Sequence, residues 1–139
     1  MAYPLTAHNT FGIAATCDSF FEYASVEELQ ALLPQLNQQR WLHIGAGSNL
    51  LFVHPHFDGM ILHSGIKGWD RINETDTTVD IRVGAGEEMD AFIAQMIDQG
   101  YYGLENLSHI PGEVGASAVQ NVGAYGVEAG DFIVSVEAL

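Results

Sequence analysis

The order of apolar and polar positions along the chain predicts an alternation of strands and helices. Phe20, Phe21 and Tyr23 form a short apolar run that reads as a strand. Ser25 and Glu28 then make a capping box, in which the serine oxygen accepts from an early helix amide and the glutamate reaches back to the serine amide. Val26, Leu29, Leu32, Leu33 and Leu36 follow at helical spacing, and Pro34 is expected to break or kink that helix. Residues 41–44 read as a second, buried strand, and residues 45–49 as a turn. This β-α-β order favours a parallel pair with the helix on one face. Residues 60–63 make a third strand, and residues 70–80 read as a charged connection. Val79, Ile81 and Val83 alternate with Asp80 and Arg82, as in a half-exposed strand. Gly84 and Gly86 lead into an amphipathic helix with Met89, Phe92, Ile93, Met96 and Ile97 on one face, stopped by Gly100. Residues 108–130 are rich in glycine and lack a period. Residues 133–139 alternate like a strand that is still running at Leu139, which predicts a truncated domain.

Composition narrows the picture. Apolar residues are 47% of the 139, enough for a core, but charged residues are only 16%, which suggests surface that something else covers. The net charge is -14, from 18 acids and 4 bases. Lys67, Arg40, Arg71 and Arg82 do not cluster, so neither nucleic acid nor an anionic membrane is an expected partner. The N-terminus has no basic stretch followed by a long apolar run, so a cytoplasmic location is expected. Cys17, the only cysteine, reads as a small buried hydrophobe. His54, His56 and His63 lack the accompanying ligands of a metal site, so no metal is expected. Glu87, Glu88 and Asp90 fall in the first turn of a helix, where the dipole favours them.

Two glycine-bearing stretches carry the candidate chemistry. In the first, Gly45, Gly47, Ser48 and Asn49 follow a strand directly. Glycines allow close approach of backbone to a ligand, consecutive amides can cradle an anion, and the two polar side chains add donors. Leu50 stands where a dinucleotide fingerprint would place its third glycine, so the motif alone is weak, and a plain tight turn is the alternative. The second is residues 110–126, with glycines at 112, 115, 123 and 126 and almost no charge. Its polar side chains, Ser117, Gln120, Asn121 and Tyr125, offer hydrogen bonds without charge, as a cofactor site requires. A structural crossover packed on its own sheet is the alternative.

Taken in order, residues 9–13, 45–51, 84–86, 103–107 and 110–126 resemble the N-terminal part of the UDP-N-acetylenolpyruvoylglucosamine reductase (MurB) family. The resemblance implies an α+β FAD-binding domain of the vanillyl-alcohol-oxidase (PCMH) type, built of two α+β subdomains with FAD between them. These would be residues 1–66 and an incomplete 67–139, with the substrate domain absent from this chain. By motif position, Gly45, Gly47, Ser48 and Asn49 would hold the FAD pyrophosphate. Pro111, Gly112, Gly115, Ser117, Gln120, Asn121, Gly123 and Ala124 would line the rest of the cofactor, and Tyr125 would lie near flavin and substrate. The implied reaction uses NADPH to reduce a UDP-sugar enolpyruvyl ether to UDP-N-acetylmuramate. The family's proton donor, its partner carboxylate and its arginine would fall after Leu139, so no catalytic residue is expected in this chain and it should be inactive alone. The full-length protein is expected to be a monomer. Glu113 departs from the small or neutral residue usual at that position. A hydroxy-acid or alcohol oxidase of the same fold, and a non-catalytic domain, are the competing readings.

Overall fold

Met60, Ile61 and Leu62 are buried in succession. A strand with consecutive buried residues has apolar neighbours on both faces, which is the mark of a central parallel strand. That strand is β4 (His56–Ser64), and it lies between β2 (Thr16–Tyr23) and β3 (Trp41–Ile44), parallel to both. The short β1 (Tyr3–Pro4) pairs antiparallel with β2, completing the order β1-β2-β4-β3. The expected parallel arrangement is therefore present, but β2 and β3 are separated by β4. β3 is the sheet edge, with Trp41 and His43 exposed rather than buried.

The computed structural model describes all 139 residues, in two units, Met1–Gly65 and Ile66–Leu139. In the first, α1 (Val26–Leu36) covers one face of the sheet by packing Leu32 and Leu36 on Met60 and Leu62. Ser25 Oγ accepts from the Glu28 amide at 3.1 Å, as the capping box requires. The returning Glu28 carboxylate accepts from Ala24 N–H at 2.7 Å, one residue earlier than expected. Pro34 lies inside α1 without ending it. So close to the C-terminus its missing N–H frees only the Gln30 carbonyl, and both residues are exposed to water. The other face of the sheet buries Leu5, Ala15, Cys17, Ile44 and Ile61, with Phe20, Leu42, Leu50, Phe52 and Phe57 around them. Cys17 is fully buried, and burial pushes its thiol pKa up.

In the second unit, the charged stretch after residue 68 is not a plain connection. It contains β5 (Trp69–Glu74), antiparallel to β6 (Val79–Val83). Ile72 is exposed and five of the six β5 residues are solvent-facing, so no periodic apolar signal marks this strand. Long-range contacts hold it instead: Trp69 Nε1 donates to Gln95 Oε1 at 2.9 Å, and Arg71 to Tyr101 Oη at 3.1 Å. The helix α2 (Met89–Asp98) buries Met89, Phe92, Ile93 and Met96. It ends in a Schellman motif: Gly100 N–H donates to Ile97 O and Tyr101 N–H to Met96 O, with Gly100 at φ +79°. Residues 108–130, read as irregular, contain α3 (Val114–Gln120) and the hairpin β7 (Gly123–Ala124) and β8 (Val127–Glu128). Residues 133–139 form no strand. They are exposed, and no strand pairs with them.

Candidate functional site

The turn at residues 45–49 starts where β3 ends, at the carboxyl end of the parallel strands. In open α/β sheets that end is where ligands collect. Gly47 is buried, has φ +74°, and presses against the preceding loop. A Cβ at this position would lie 2.1 Å from the His8 carbonyl oxygen, so only glycine fits. The loop below is held by Asn9, a buried amide. Its Nδ2 donates to Leu5 O at 2.8 Å and Ile13 O at 3.1 Å, and its Oδ1 accepts from Ile13 N–H at 2.9 Å. Thr10 N–H then donates to Gly47 O at 3.1 Å. Residues 9–13 are thus the floor of the glycine turn. Ser48 is half-buried and Asn49 exposed.

A polar cluster lies near the same strand ends, and of its members only His63 is weighed from the sequence, as a metal ligand. His63 Nδ1 and Glu22 Oε2 are 2.7 Å apart. Tyr3 Oη meets His8 Nε2 at 3.2 Å, and the His8 ring lies 4.2 Å from that of Phe20. Burial, reinforced by His63 and opposed by Glu22, holds the His8 pKa below its ordinary value. Arg40, Leu42, Leu50, Phe52, His56 and Phe57 line an open hollow that reaches Leu50 and Leu51, just after the glycine turn. The Arg40 guanidinium there stands 4.6 Å over the Phe57 ring.

In the second unit, residues 112–115 run beside residues 85–89. Met89 N–H donates to Gly112 O, Val114 N–H to Glu87 O and Gly115 N–H to Ala85 O, at 2.8–3.0 Å. Glu113 is the N-cap residue of α3 and bridges Glu88. Of the glycines in residues 110–126, Gly115 has the closest fit: a Cβ there would come within 2.7 Å of Ala85 Cβ. Ile110 and Val114 pack on the core of Met89, Ile93 and Leu107. Part of the apolar character of residues 110–126 is therefore spent inside the unit. The same is true of several polar side chains. Ser117 is buried and donates to Val114 O of its own helix at 2.6 Å. Asn121, in the left-handed region at φ +49°, closes α3. Its Nδ2 donates to Glu128 at 2.6 Å and its Oδ1 accepts from Gly130 N–H at 2.8 Å. A Cβ on Gly123 would meet Val127 O at 2.8 Å. Pro111, Gln120 and Tyr125 are exposed, while Gly112 and Ala124 are half-buried.

Tyr125 and Gly126 form the two-residue connection of the β7–β8 hairpin, at φ +54° and +82°. Positive φ at both positions is the requirement of a type I′ turn, which usually takes Asn-Gly. The turn presents the tyrosine to solvent at 87% exposure.

A family model described as "FAD binding domain" matches residues 18–139, and the chain belongs to that family. Its fold is the α+β, PCMH-type FAD-binding fold. Among curated proteins, the chain is 54% identical over 138 residues to the UDP-N-acetylenolpyruvoylglucosamine reductase of Bacteroides fragilis strain YCH46, covering 99% of this chain and 41% of that protein. It is 46% identical to the enzyme of the same name from Porphyromonas gingivalis strain ATCC 33277, with 98% and 40% covered. The crystal structure of UDP-N-acetylenolpyruvylglucosamine reductase (MurB) from Thermus caldophilus superposes with a TM-score of 0.73 at 23% identity, over 94% of this chain and 45% of that one. The chain thus spans about two fifths of the length of the curated relatives it matches. No helix is long and apolar enough to cross a membrane.

Proposed function

We propose that the chain binds FAD and supplies that site to a cytoplasmic UDP-N-acetylenolpyruvoylglucosamine reductase. The observation that carries the reading is the glycine turn at the carboxyl ends of parallel strands, in a chain of the FAD-binding family. Residues 44–51 contain no carboxylate although the chain carries -14 overall. An anionic pyrophosphate therefore meets amide and hydroxyl donors at Ser48 and Asn49 rather than acids. The residues fit the group.

In this reading residues 45–49 hold the pyrophosphate, while Pro111, Gly112, Gln120 and Ala124 offer backbone or side-chain contacts further along the cofactor. Ser117, Asn121, Gly115 and Gly123 shape the segment, because their side chains or missing side chains serve its internal packing. Tyr125 reaches the substrate from the hairpin tip. Bound there, FAD would relay a hydride from NADPH to the UDP-sugar enolpyruvyl ether. We assign the substrate domain and the proton donor to the part of the relatives that this chain does not span.

The test is a titration of the full chain with FAD, read by quenching of flavin fluorescence. Saturable binding supports the reading, and a chain that takes up no flavin sinks it. NADPH bleaching and product formation by a full-length protein would establish the reductase. Turnover by these 139 residues alone would overturn the division of labour. The internal packing of Gly47, Gly115 and Gly123 favours a second reading, in which the glycines serve only the fold. Under it FAD binding is absent while the unfolding transition stays cooperative.

A further inference from the structure

Asp90 does more than stand in the first turn of α2. Its Oδ1 accepts from Ser108 Oγ at 2.6 Å and from His109 N–H at 2.7 Å. His109 is one of three non-glycine residues with positive φ, at +63°. That conformation costs a residue with a Cβ about 1–2 kcal/mol and persists only where the surroundings impose it. The His109 ring is 94% exposed, so its side-chain packing does not impose it. The restraint on its backbone is the Asp90 carboxylate bonded to its amide. Directly after this left-handed step the chain enters Ile110 and Pro111, and then the backbone ladder of residues 112–115 against residues 85–89.

We propose that Asp90 is a positioning residue for the candidate cofactor segment: by holding Ser108 and the left-handed backbone of His109, it sets where residues 110–126 begin and aims their exposed groups. The inference rests on the reading of that segment as an FAD contact. A charge-assisted hydrogen bond to backbone N–H is among the stronger restraints available to a surface turn. Both donors converge on one oxygen, so an asparagine at this position keeps an acceptor in the same place. Its loss leaves the turn to a conformational equilibrium, and apparent cofactor affinity falls with the fraction that remains competent.

The experiment measures FAD affinity and His109 amide exchange in the full chain and its variants, with urea midpoints as a check on the fold. Asp90→Ala is expected to raise the FAD dissociation constant about tenfold, equivalent to a competent fraction of about one tenth. It should also remove His109 amide protection. Asp90→Asn should restore both to within about threefold. Ser108→Ala, which keeps the His109 bond, should give an intermediate loss and serves if Asp90→Ala fails to fold. In a His109→Gly background, where positive φ carries no steric cost, Asp90→Ala should weaken FAD binding by less than threefold. Unchanged affinity in Asp90→Ala, or an equal loss with and without His109→Gly, overturns the assignment. A parent chain with a protected His109 amide that binds no FAD refutes the cofactor reading instead. If that amide is unprotected in the parent, the positioning role fails whatever the flavin result.

Discussion

Gly47→Ala separates a glycine needed by a ligand from a glycine needed by the fold. Gly12 provides the control, since it lies in the same unit and has a similar φ of +64° against +74° for Gly47. A Cβ on Gly12 meets nothing within 4 Å, whereas on Gly47 it would sit 2.1 Å from His8 O and 2.9 Å from Asn9 Cα. Both variants bear the left-handed penalty of about 1–2 kcal/mol. Both also gain the same small benefit from a stiffer unfolded chain, which cancels in the difference. Gly47→Ala alone must push apart two backbone segments, and the three hydrogen bonds of Asn9 oppose that shift. Overpacking of this kind costs about 1–3 kcal/mol, for a total of about 2–5 kcal/mol in Gly47→Ala. In urea, with a slope of about 1 kcal/mol/M for a small unit, the Gly47→Ala midpoint should lie roughly 1–3 M below that of Gly12→Ala. The assay is urea unfolding followed by far-ultraviolet dichroism, without cofactor. Equal midpoints for the two variants would refute the close-packing account and return Gly47 to a purely ligand-driven role.

Asn49→Asp places a carboxylate on an exposed turn residue, so it should change the urea midpoint little. It should weaken FAD binding tenfold or more, since a like charge a few ångströms from a phosphate costs about 1.4 kcal/mol or more even when partly screened. Unaltered affinity in a flavin titration would remove the pyrophosphate from this turn. Tyr125→Asn puts the preferred residue at the first position of the type I′ turn and should stabilise the second unit by up to about 1 kcal/mol, measured by urea unfolding. Asp90 titrates below the usual aspartate range because Ser108 and then His109 N–H hydrogen-bond its charged form, with the His109 ring 3.9 Å away. Its contribution is complete above the unfolded pKa and fades as pH falls through the lowered folded value. The stability difference between the parent and Asp90→Asn should therefore shrink as the pH falls below the ordinary aspartate value of about 4. A constant difference over that fall would contradict the hydrogen-bonded carboxylate.

Local pattern made part of this fold legible in the sequence. The Ser25 cap, the helical spacing of Leu32 and Leu36, the apolar face of α2 and its Gly100 stop depend on residues within a few positions of each other. The ordered glycine motifs likewise point to an FAD-binding family by sequence alone. What lay outside the sequence depended on contacts between distant residues. The insertion of β4 between β2 and β3 follows from which strand buries both faces, and β5 is held by Gln95 and Tyr101, not by its own apolar pattern. The helix α3 was hidden because Gly115 and Ser117, poor helix formers by themselves, are required there by the close approach of Ala85 and the bond to Val114 O. The sequence by itself determined that glycines cluster in two stretches. Only the tertiary structure decided that Gly47, Gly115 and Gly123 are small because neighbouring backbone or a neighbouring side chain occupies the space a Cβ would fill.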